Sequence, residues 1–284
     1  MDKKLQTFLT VCKTMNYRAA AQQLHLTQPA VTKQIQALEA EYGTKLFRYD
    51  GRRLHRTEKC GILEAYAQSL EYNYQEMQLA MQEKDRLHLR VGATKTIGDY
   101  VLGPAIMNYL KNPAHELTLL VDNTVQLLKG IDENRLDFAI IEGRFDKRRY
   151  GFKLFRKEPF IGIRNGEAPD GETLPVEELL KETIIVRERG SGTRELFERD
   201  LKSLGYSLES FARVIELSSF RLIREAVKEG LGVTFVYRSV IGDDPGFSTF
   251  TVDGIQKEHE FNTVSLKNTP ALGYAENFLK EAGA

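Results

Sequence analysis

The amino-acid sequence predicts an α/β protein with an N-terminal winged helix-turn-helix, a long linker helix and a larger α/β domain. Three observations predict this organisation. Apolar residues recur at helical spacing over residues 1–43, a basic hairpin follows them, and beyond residue 87 apolar strands alternate with helices. A chain of 284 residues also exceeds the usual size of a single core, so more than one domain is expected.

Composition excludes several classes of protein. Apolar residues make up 42% and charged residues 28%, which is ordinary for a globular protein and excludes disordered and collagen-like chains. The sequence has no long apolar run, and its start, MDKKLQTFL, lacks a signal-peptide core, so neither a membrane span nor secretion is expected. Two cysteines are too few for a disulfide framework and suit a reducing cytoplasm, which is the predicted location.

Charge is distributed unevenly along the chain. Residues 1–60 hold eleven Lys or Arg and five Asp or Glu, which gives a net charge of +6. Because the net charge of the whole chain is 0, residues 61–284 carry a net charge of −6. Such asymmetry predicts a small module that faces a polyanion. From charge alone, a solvated basic face is an equally good interpretation.

Three short helices open the chain. Asn16 is predicted to cap the second, Tyr17 to Leu24, and Thr27 to cap the third, which ends at Gly43. Both the first and the third helix carry an apolar stripe, formed by Leu5, Phe8, Leu9 and Cys12 and by Val31, Ile35 and Leu38. A basic hairpin, Arg48 to Thr57 with Asp50-Gly51 at its turn, completes a winged helix-turn-helix.

A long helix is predicted from about Glu58 to Arg86. The segment has no proline, and Gly61 is its only glycine, so one helix of about 40 Å is expected. Its narrow apolar stripe consists of Ile62, Leu63, Tyr66, Leu70, Tyr74, Met77 and Met81. The stripe favours pairing with a second subunit over a solvated connector.

The first turns of the third helix carry candidate DNA contacts. In a helix-turn-helix these positions meet base edges in the major groove, where Gln can pair with adenine and Lys with guanine. The candidates for base contacts are Gln28, Pro29, Ala30, Thr32 and Lys33. Thr27 and Gln34 are predicted to contact phosphates, and Arg52 and Arg53 of the hairpin to lie along the backbone or minor groove. The alternative is a solvated polar face of a small helical domain.

Beyond the linker, strands alternate with helices, which predicts mostly parallel sheets with helices on both faces. The predicted strands are Leu87–Ala93, Leu117–Val121, Phe138–Ile141, Phe160–Ile163, Ile184–Val186, Arg213–Glu216 and Val233–Val236. The predicted helices are Tyr100–Leu110, Val125–Asn134, Val176–Leu180, Arg194–Leu204, Phe220–Glu229 and Ala271–Glu281.

The stretch FLTVCKTMNYRAAAQQLHLTQPAVTKQIQALEAEYGTKLF resembles the DNA-binding module of LysR-type transcriptional regulators, and RAAAQQLHLTQPAVTKQIQALE within it is highly specific for that family. The resemblance spans essentially the whole chain. It implies a sequence-specific regulator that binds operator or promoter DNA as a homodimer or homotetramer, with RNA polymerase as a further partner. It also implies a periplasmic-binding-protein-like effector domain of two Rossmann-like lobes.

The resemblance divides the chain into three parts. They are a winged helix-turn-helix at 1–58, a linker (dimerisation) helix at 59–86 and an effector-binding domain at 87–284. Lobe one would comprise 87–160 and 266–284, and lobe two 161–265. The outward crossing is expected near Phe160–Arg164 and the return near Val264–Lys267.

Three positions depart from the family pattern. Tyr49 stands where the family has Arg, Arg56 where it has Leu and Cys60 where it has Gly. Arg56 is expected either to supply the phosphate contact that Tyr49 lacks or to set the spacing between wing and linker helix. Cys60 lies beside Lys59, which could favour its thiolate.

Two glycine-bearing turns, Gly92–Gly98 and Arg189–Arg194, each lead from a predicted strand into a helix. Ligands of open α/β sheets lie at such strand ends, where free N–H groups and helix dipoles favour anions. From the residues alone, Ser191 and Thr193 are equally well ordinary helix caps, and the resemblance favours effector contact. The candidate effector-binding residues are Thr94, Lys95, Thr96, Gly143, Ser191, Gly192, Thr193, Arg194 and Tyr237. The expected effector is a small anionic metabolite such as a sugar acid, sulfur oxyanion or phosphate.

The competing interpretations are an enzyme on a solute-binding fold and a ligand-binding protein with a vestigial DNA module. An enzyme would need a nucleophile with its base, or a metal cluster, and the five histidines share no short motif with Cys or paired acids. The Gly92–Gly98 turn lacks GxGxxG and the P-loop ending. We therefore predict no catalytic residue, no metal site, no membrane partner and no cofactor besides a small-molecule effector of unknown identity.

Overall fold

The computed structural model describes residues 1–81, 88–166 and 170–283. Contacts group the chain into two units, Met1–Arg86 with Leu266–Pro270 and Leu87–Ser265 with Ala271–Ala284. Each unit is described by itself. Within the described residues, no helix combines the length and apolarity needed to cross a membrane.

The first unit contains the predicted winged helix-turn-helix. Its elements are α1 (Lys3–Thr14), α2 (Tyr17–Gln23), α3 (Gln28–Glu41), the strands β1 (Phe47–Tyr49) and β2 (Leu54–Arg56), and α4 (Glu58–Met81). The side chain of Asn16 accepts hydrogen bonds from the N–H groups of Arg18 and Ala19, and that of Thr27 accepts one from Ala30. Both predicted caps are thus confirmed, because side-chain oxygens satisfy N–H groups that have no partner within the helix.

Helix α4 is the linker helix. Its 24 residues span about 36 Å, and the predicted continuation over 82–86 lies outside the described residues. One face of α4 joins the core of the unit through Cys60 and Ala67. The rest of that core comes from the three preceding helices and the wing, namely Phe8, Val11, Cys12, Ala20, Ala21, Val31, Ile35, Leu38, Leu46 and Phe47.

The second unit contains ten strands and eight helices among the described residues. The strands are β3 (His88–Thr94), β4 (Glu116–Asp122), β5 (Phe138–Ile141), β6 (Tyr150–Asn165), β7 (Glu172–Leu174), β8 (Thr183–Val186), β9 (Arg213–Glu216), β10 (Thr234–Tyr237), β11 (Phe247–Val252) and β12 (Glu258–Leu266). The helices are α5 (Lys95–Tyr100), α6 (Gly103–Tyr109), α7 (Thr124–Asp132), α8 (Val176–Leu179), α9 (Gly192–Ser203), α10 (Phe220–Lys228), α11 (Arg238–Ile241) and α12 (Ala271–Ala282).

These strands form two α/β lobes. Strands β4, β3, β5, β12, β6, β11 and β7 follow one another in one sheet, in which β10 also pairs with β6, and β8 pairs with β9 separately. Strand β3 lies parallel to β4 and β5 in the first lobe, and β8 lies parallel to β9 in the second. Strand β12 pairs with β5 of the first lobe and neighbours β6, which pairs with β10 and β11 of the second, so β6 and β12 connect the lobes.

The prediction of mostly parallel sheets is correct only in part. Strand β6 runs antiparallel to β10 and β11, and β12 runs antiparallel to β5. A strand that crosses between lobes and a later strand that returns necessarily run in opposite directions. Asn262–Ser265 pair with β5 of the first lobe, a segment that overlaps the return expected near Val264–Lys267.

The predicted helix Tyr100–Leu110 is wrong as a single element. The structure has two helices there, and α6 begins at Gly103 with Pro104 in its first turn. Proline has no N–H to donate to the preceding turn and clashes with it, so one continuous helix cannot pass through this position.

Candidate nucleic-acid interface and ligand cleft

The N-terminal end of α3 presents the predicted DNA-contacting side chains. Val31 and Ile35 face the core of the first unit. This places Thr27, Gln28, Pro29 and Lys33 on the exposed side and Ala30, Thr32 and Gln34 at its margin. The hydroxyl of Thr32 donates to the carbonyl of Gln28 at 3.0 Å, and no described side chain pairs with Lys33. The outward face of α3 is therefore polar and accessible at the positions that the sequence predicted.

The wing is ordered by Asp50. Its carboxylate accepts hydrogen bonds from the N–H groups of Arg52 at 2.9 Å and Arg53 at 2.8 Å, and it contacts the His55 ring at 2.7 Å. These hydrogen bonds favour the ionised carboxylate and lower the pKa of Asp50 to about 2. Both arginine side chains are exposed at the tip of this turn, where they are available to a phosphate backbone.

The structure favours one of the two roles expected for Arg56. Its guanidinium donates to the Glu64 carboxylate on α4 at 2.8 Å and to the carbonyl of Cys12 on α1. Arg56 thus ties the wing to the linker helix rather than extending toward DNA. Tyr49 is 68% exposed at the outer edge of the wing.

In the second unit, strand ends converge at the cleft between the lobes. Ala93 lies opposite Ile140 in the parallel pairing of β3 and β5, so Thr94 and Glu142 emerge at the same edge of the sheet. The second lobe contributes α9, which begins at Gly192. The predicted turns therefore meet at the carboxyl ends of the strands, as ligand sites of open sheets do.

The Glu142 carboxylate is the centre of this meeting point. It accepts hydrogen bonds from the hydroxyls of Thr94, of Thr96 at 3.4 Å and of Thr193 at 3.2 Å. The hydroxyl of Thr124, at the start of α7, donates to the Glu142 backbone carbonyl at 2.8 Å. We call Glu142, Thr94, Thr96 and Thr193 the hydroxyl–carboxylate cluster. It joins both lobes, since Thr193 belongs to the second.

Two glycines allow the lobes to approach at this point. Gly143 has a φ of +100°, and a Cβ there would lie 2.8 Å from the Cα of Gly192. A Cβ on Gly192 would collide with the Glu142 backbone and come within 2.9 Å of the Thr124 hydroxyl. The predicted Gly143 and Gly192 therefore contribute backbone proximity rather than side-chain chemistry.

Burial raises the pKa of Glu142, while the hydroxyls of Thr94 and Thr193 and the charge of Arg187 oppose that shift. Arg187 is 4% exposed, and its guanidinium donates two hydrogen bonds to the Glu188 carboxylate, at 2.8 and 2.9 Å. Its guanidinium carbon lies 4.3 Å from the centre of the Phe220 ring. The third nitrogen, Nη1, is buried and has no hydrogen-bond partner among the described residues.

The other predicted effector contacts lie at the rim of the cluster. Ser191 is buried and precedes α9, but its side chain makes no capping hydrogen bond. Tyr237 is fully buried, and its hydroxyl has no partner in the described part of the chain. Burial and the neighbouring Glu142 carboxylate both raise the pKa of Tyr237.

The two cations predicted at the cleft are engaged elsewhere. Lys95 donates to the carbonyl of Ser218 at 3.0 Å and lies 3.6 Å from the Glu188 carboxylate. Arg194 pairs with Glu198 at 2.6 Å and Glu216 at 2.5 Å. Lys95 thus bridges the lobes, whereas Arg194 stabilises the start of α9.

A cavity of about 450 Å³ adjoins the cluster at Gly143. Lysines and arginines outnumber acids in its lining, which includes Arg144, Lys147, Lys157 and Arg199 alongside Glu258 and Glu260. Among the described residues, no group of three or more His, Cys, Asp or Glu side chains is placed to hold a metal ion. The cavity therefore has an excess of positive side chains, whereas the hydroxyl groups lie in the buried cluster beside it.

Sequence reasoning missed Glu142, Arg187 and Thr124. Each directly follows a strand or opens a helix after one, which is the signal that could have found them. Glu142 in particular ends the apolar run Phe138–Ile141, and a carboxylate in that position is next to the cleft of an open sheet.

Comparison with known proteins identifies a matching family model for each of the two units. A model of the LysR substrate binding domain matches residues 82–283, and a model of the bacterial regulatory helix-turn-helix protein, lysR family, matches residues 3–60. The chain is 32% identical over 247 residues to the uncharacterized HTH-type transcriptional regulator MJ0300 of Methanocaldococcus jannaschii, covering 83% of this chain and 82% of that protein.

Two solved structures illustrate the likeness of the fold. Full-length OxyR from Pseudomonas aeruginosa, a variant, superposes with a TM-score of 0.61 at 21% identity and covers 98% of this chain and 93% of that one. The regulatory domain of Synechocystis CcmR, in complex with 2-PG, gives a TM-score of 0.59 at 21% identity over 68% of this chain and 96% of that one. At these identities the likeness shows the fold alone.

Proposed function

Because this chain belongs to the LysR family of transcriptional regulators, it is a sequence-specific DNA-binding regulator with an effector-binding domain, and we propose which of its residues bind DNA and effector. Gln28, Pro29, Ala30, Thr32 and Lys33 contact base edges, Thr27 and Gln34 fix the register through phosphates, and Arg52 and Arg53 follow the backbone or minor groove. The exposed N-terminal face of α3 is the observation that carries this proposal.

Selection of bound duplexes from a random pool tests the DNA-binding proposal. The wild type should enrich a two-fold-related motif, which Gln28→Ala and Lys33→Ala should relax at defined bases because each removes a base-edge contact. Lys3→Ala removes an exposed lysine of α1 and serves as the matched control, which should retain the motif. If Gln28→Ala and Lys33→Ala enrich the same motif as the wild type and the control, the assigned base contacts are contradicted.

The second part of the proposal is a small anionic metabolite bound between the lobes. Thr94, Thr96, Ser191 and Thr193 would supply hydroxyl groups, with Gly143, Gly192 and Tyr237 shaping the site. Lys95 and Arg194 would complete the site, although each pairs with a carboxylate in this structure. Hydroxyl donors from both lobes meet at this place, and cations line the adjoining cavity, which supports an anion there. An effector that prefers one lobe arrangement would shift the DNA-bound assembly toward it.

Thermal stabilisation by small anions tests this part. Sulfate, phosphate and simple carboxylates should raise the melting temperature of the wild type, and Thr193→Val should lose the effect because one hydroxyl donor is gone. Thr173→Val is the matched control, since the Thr173 hydroxyl pairs only with Thr251 among the described residues, at 2.9 Å. Stabilisation by cationic or neutral compounds alone would contradict an anionic effector.

The assembly and its setting complete the proposal. We propose that α4 mediates a homodimer, which pairs further into a homotetramer, and that the regulator contacts RNA polymerase in the cytoplasm. The exposed apolar stripe of α4 supports dimerisation; its members are Ile62, Tyr66, Leu70, Tyr74, Met77 and Met81. We further propose that the protein catalyses no reaction and uses no metal or other cofactor, since its cleft acts by binding.

A further inference from the structure

Glu142 places a negative charge where the proposed effector would place its own. Its carboxylate is 1% exposed and uses the hydroxyls of Thr94, Thr96 and Thr193 as donors. An anion that accepts hydrogen bonds from the same hydroxyls removes these donors from Glu142. Two anions would then share one buried site, which strongly favours protonation of one of them.

The surrounding charges do not remove this conflict. Arg187 acts on Glu142 electrostatically, but two of its nitrogens are held by Glu188. Lys95 is likewise directed to Glu188 and to a carbonyl. From β10, Tyr237 faces the carboxylate as a neutral phenol whose pKa is raised. Of the cations that line the adjoining cavity, Lys157 pairs with Glu258 and Arg199 with Asp200. The hydroxyl–carboxylate cluster therefore favours one negative charge, shared between protein and ligand.

We propose, resting on the effector site above, that anion binding in this cleft takes up one proton, which is held between the Glu142 carboxyl group and a ligand oxygen. The proton either moves from solvent to a Glu142 oxygen or enters on the ligand, and no electrons are transferred. A neutral carboxyl group then donates to an ionised ligand, or the ionised carboxylate accepts from a protonated one. The site therefore selects oxyanions that can share a proton, such as phosphate or sulfite groups, over permanently ionised ones such as sulfate.

Sulfate and phosphate are suitable probes because they have similar shapes and differ in proton content near neutral pH. Titration calorimetry between about pH 5.5 and 8.5, in buffers of different ionisation enthalpy, counts the protons taken up per ligand. For the wild type, sulfate affinity should be constant at low pH and then fall about tenfold per pH unit once Glu142 ionises. Phosphate carries its own proton and should keep its affinity to a higher pH.

Two variants and a control isolate Glu142. Glu142→Gln keeps the shape without the charge, so sulfate should bind it independently of pH with no proton uptake. Glu142→Asp keeps the titrating group and should retain the proton uptake. Glu225→Gln alters an exposed glutamate of α10 that pairs with Arg221, and it should behave as the wild type. If Glu142→Gln does not fold, the proton count of the wild type decides by itself.

The outcomes separate this inference from the effector site on which it rests. Sulfate binding by the wild type with no proton uptake across the pH range, or anion binding by Glu142→Gln alone, would overturn the role of Glu142 and leave the anion site standing. Failure of both probes to bind wild type and Glu142→Gln at every pH would instead overturn the anion site.

Discussion

Gly192 controls the distance between the two lobes at a single backbone position. Any Cβ there meets the Glu142 backbone and the Thr124 hydroxyl, neither of which can move without shifting a strand end. We predict that Gly192→Ala forces the lobes apart, breaks the hydrogen bond from Thr193 to Glu142 and lowers the unfolding free energy by about 1–3 kcal/mol. Urea unfolding measures this loss.

Gly273→Ala is the matched control for that experiment. Gly273 lies in α12 of the same unit, and a Cβ there would meet no atom within 4 Å. Alanine has the better helix propensity, so this change should leave the stability unchanged or raise it by up to about 1 kcal/mol. Equal destabilisation by both substitutions would contradict a specific contact at Gly192.

The two cysteine thiols are buried in the core of the first unit. The sulfur atoms of Cys12 and Cys60 lie 3.7 Å apart, and both residues are buried. The hydrogen bond with Cys60 and burial together raise the pKa of Cys12, so its reactive thiolate is scarce. The expectation that Lys59 activates Cys60 finds no support in this geometry, because the thiol has no access to solvent.

Alkylation tests this protection. We predict that iodoacetamide at neutral pH leaves both cysteines unmodified in the native protein and labels both after unfolding, as measured by mass spectrometry. Gln75→Cys adds an exposed thiol on α4 and should be labelled at once, which verifies the reagent. Rapid native labelling of Cys12 or Cys60 would show that the interior of this unit opens readily.

Residue roles differed in how far the sequence could predict them. Thr94, Thr96 and Thr193 were predicted as effector contacts because hydroxyls at helix starts after strands have a general chemistry and because of the family resemblance. Glu142 was not found, because its importance depends on the approach of α9 from another part of the chain. Its position directly after a strand marks the edge of the cleft, but only the packing of both lobes shows that this glutamate is buried and hydrogen-bonded.

At the scale of elements, the positive charge of the wing lies on a turn that hydrogen bonds to the Asp50 carboxylate stabilise. Arg52 and Arg53 are neighbours on this turn, and neither side chain has an ion-pair partner in the described ranges. We predict that Arg52→Ala and Arg53→Ala each weaken DNA binding on every sequence and each reduce the salt slope of log affinity by about 1. Fluorescence anisotropy across a salt series measures the slope.

An unchanged affinity and an unchanged salt slope for both variants would contradict the wing assignment. Arg148→Ala, an exposed arginine of the second unit that pairs with Asp146, serves as the control and should leave the slope unchanged. The comparison separates a contact with phosphate from a general loss of positive charge.

The apolar stripe of α4 makes a prediction about assembly. Leu70 is 53% exposed in the middle of the stripe. We predict that Leu70→Glu shifts the dimer to monomer, because a carboxylate at a helix-helix seam loses its water without gaining a partner. Sedimentation velocity measures the shift, and Gln75→Glu, an exposed position of the same helix, should remain dimeric. A wild type that sediments as a monomer would contradict the role of α4.

Helices with local signals were predicted more accurately than strands defined by their partners. Helix α3 has a cap, an early proline and an apolar stripe, all within its own sequence. Strands β7, β11 and β12 were not predicted, because each is positioned by a partner distant in the chain. These partners are β11 for β7, β6 for β11 and β5 for β12. The length of β6 was missed for the same reason, since its partners β10, β11 and β12 lie far along the chain.

At the scale of the whole molecule, the crossing strands contain a buried histidine that links stability to pH. His259 on β12 packs edge-on against Phe160 of β6, with ring centres 4.9 Å apart. Burial lowers the pKa of His259 to about 4; nearby Arg199 adds to this effect, and Asp200 opposes it. Below about pH 6.5 the unfolded chain binds a proton here that the native protein binds only near pH 4.

The free energy of unfolding should therefore fall as the pH drops from about 6.5 to 4, by an amount on the order of 3 kcal/mol attributable to His259. Glu142, whose pKa is raised by burial, acts in the opposite direction, so the difference between proteins is the informative quantity. Urea unfolding at pH 7 and pH 5 should show a smaller loss for His259→Gln than for the wild type. His88→Gln, which alters an exposed histidine of the same unit, should lose as much as the wild type. If the free energy of unfolding falls equally between pH 7 and pH 5 for the wild type and both variants, the prediction is contradicted. Protonated His259 would then be tolerated in the folded protein.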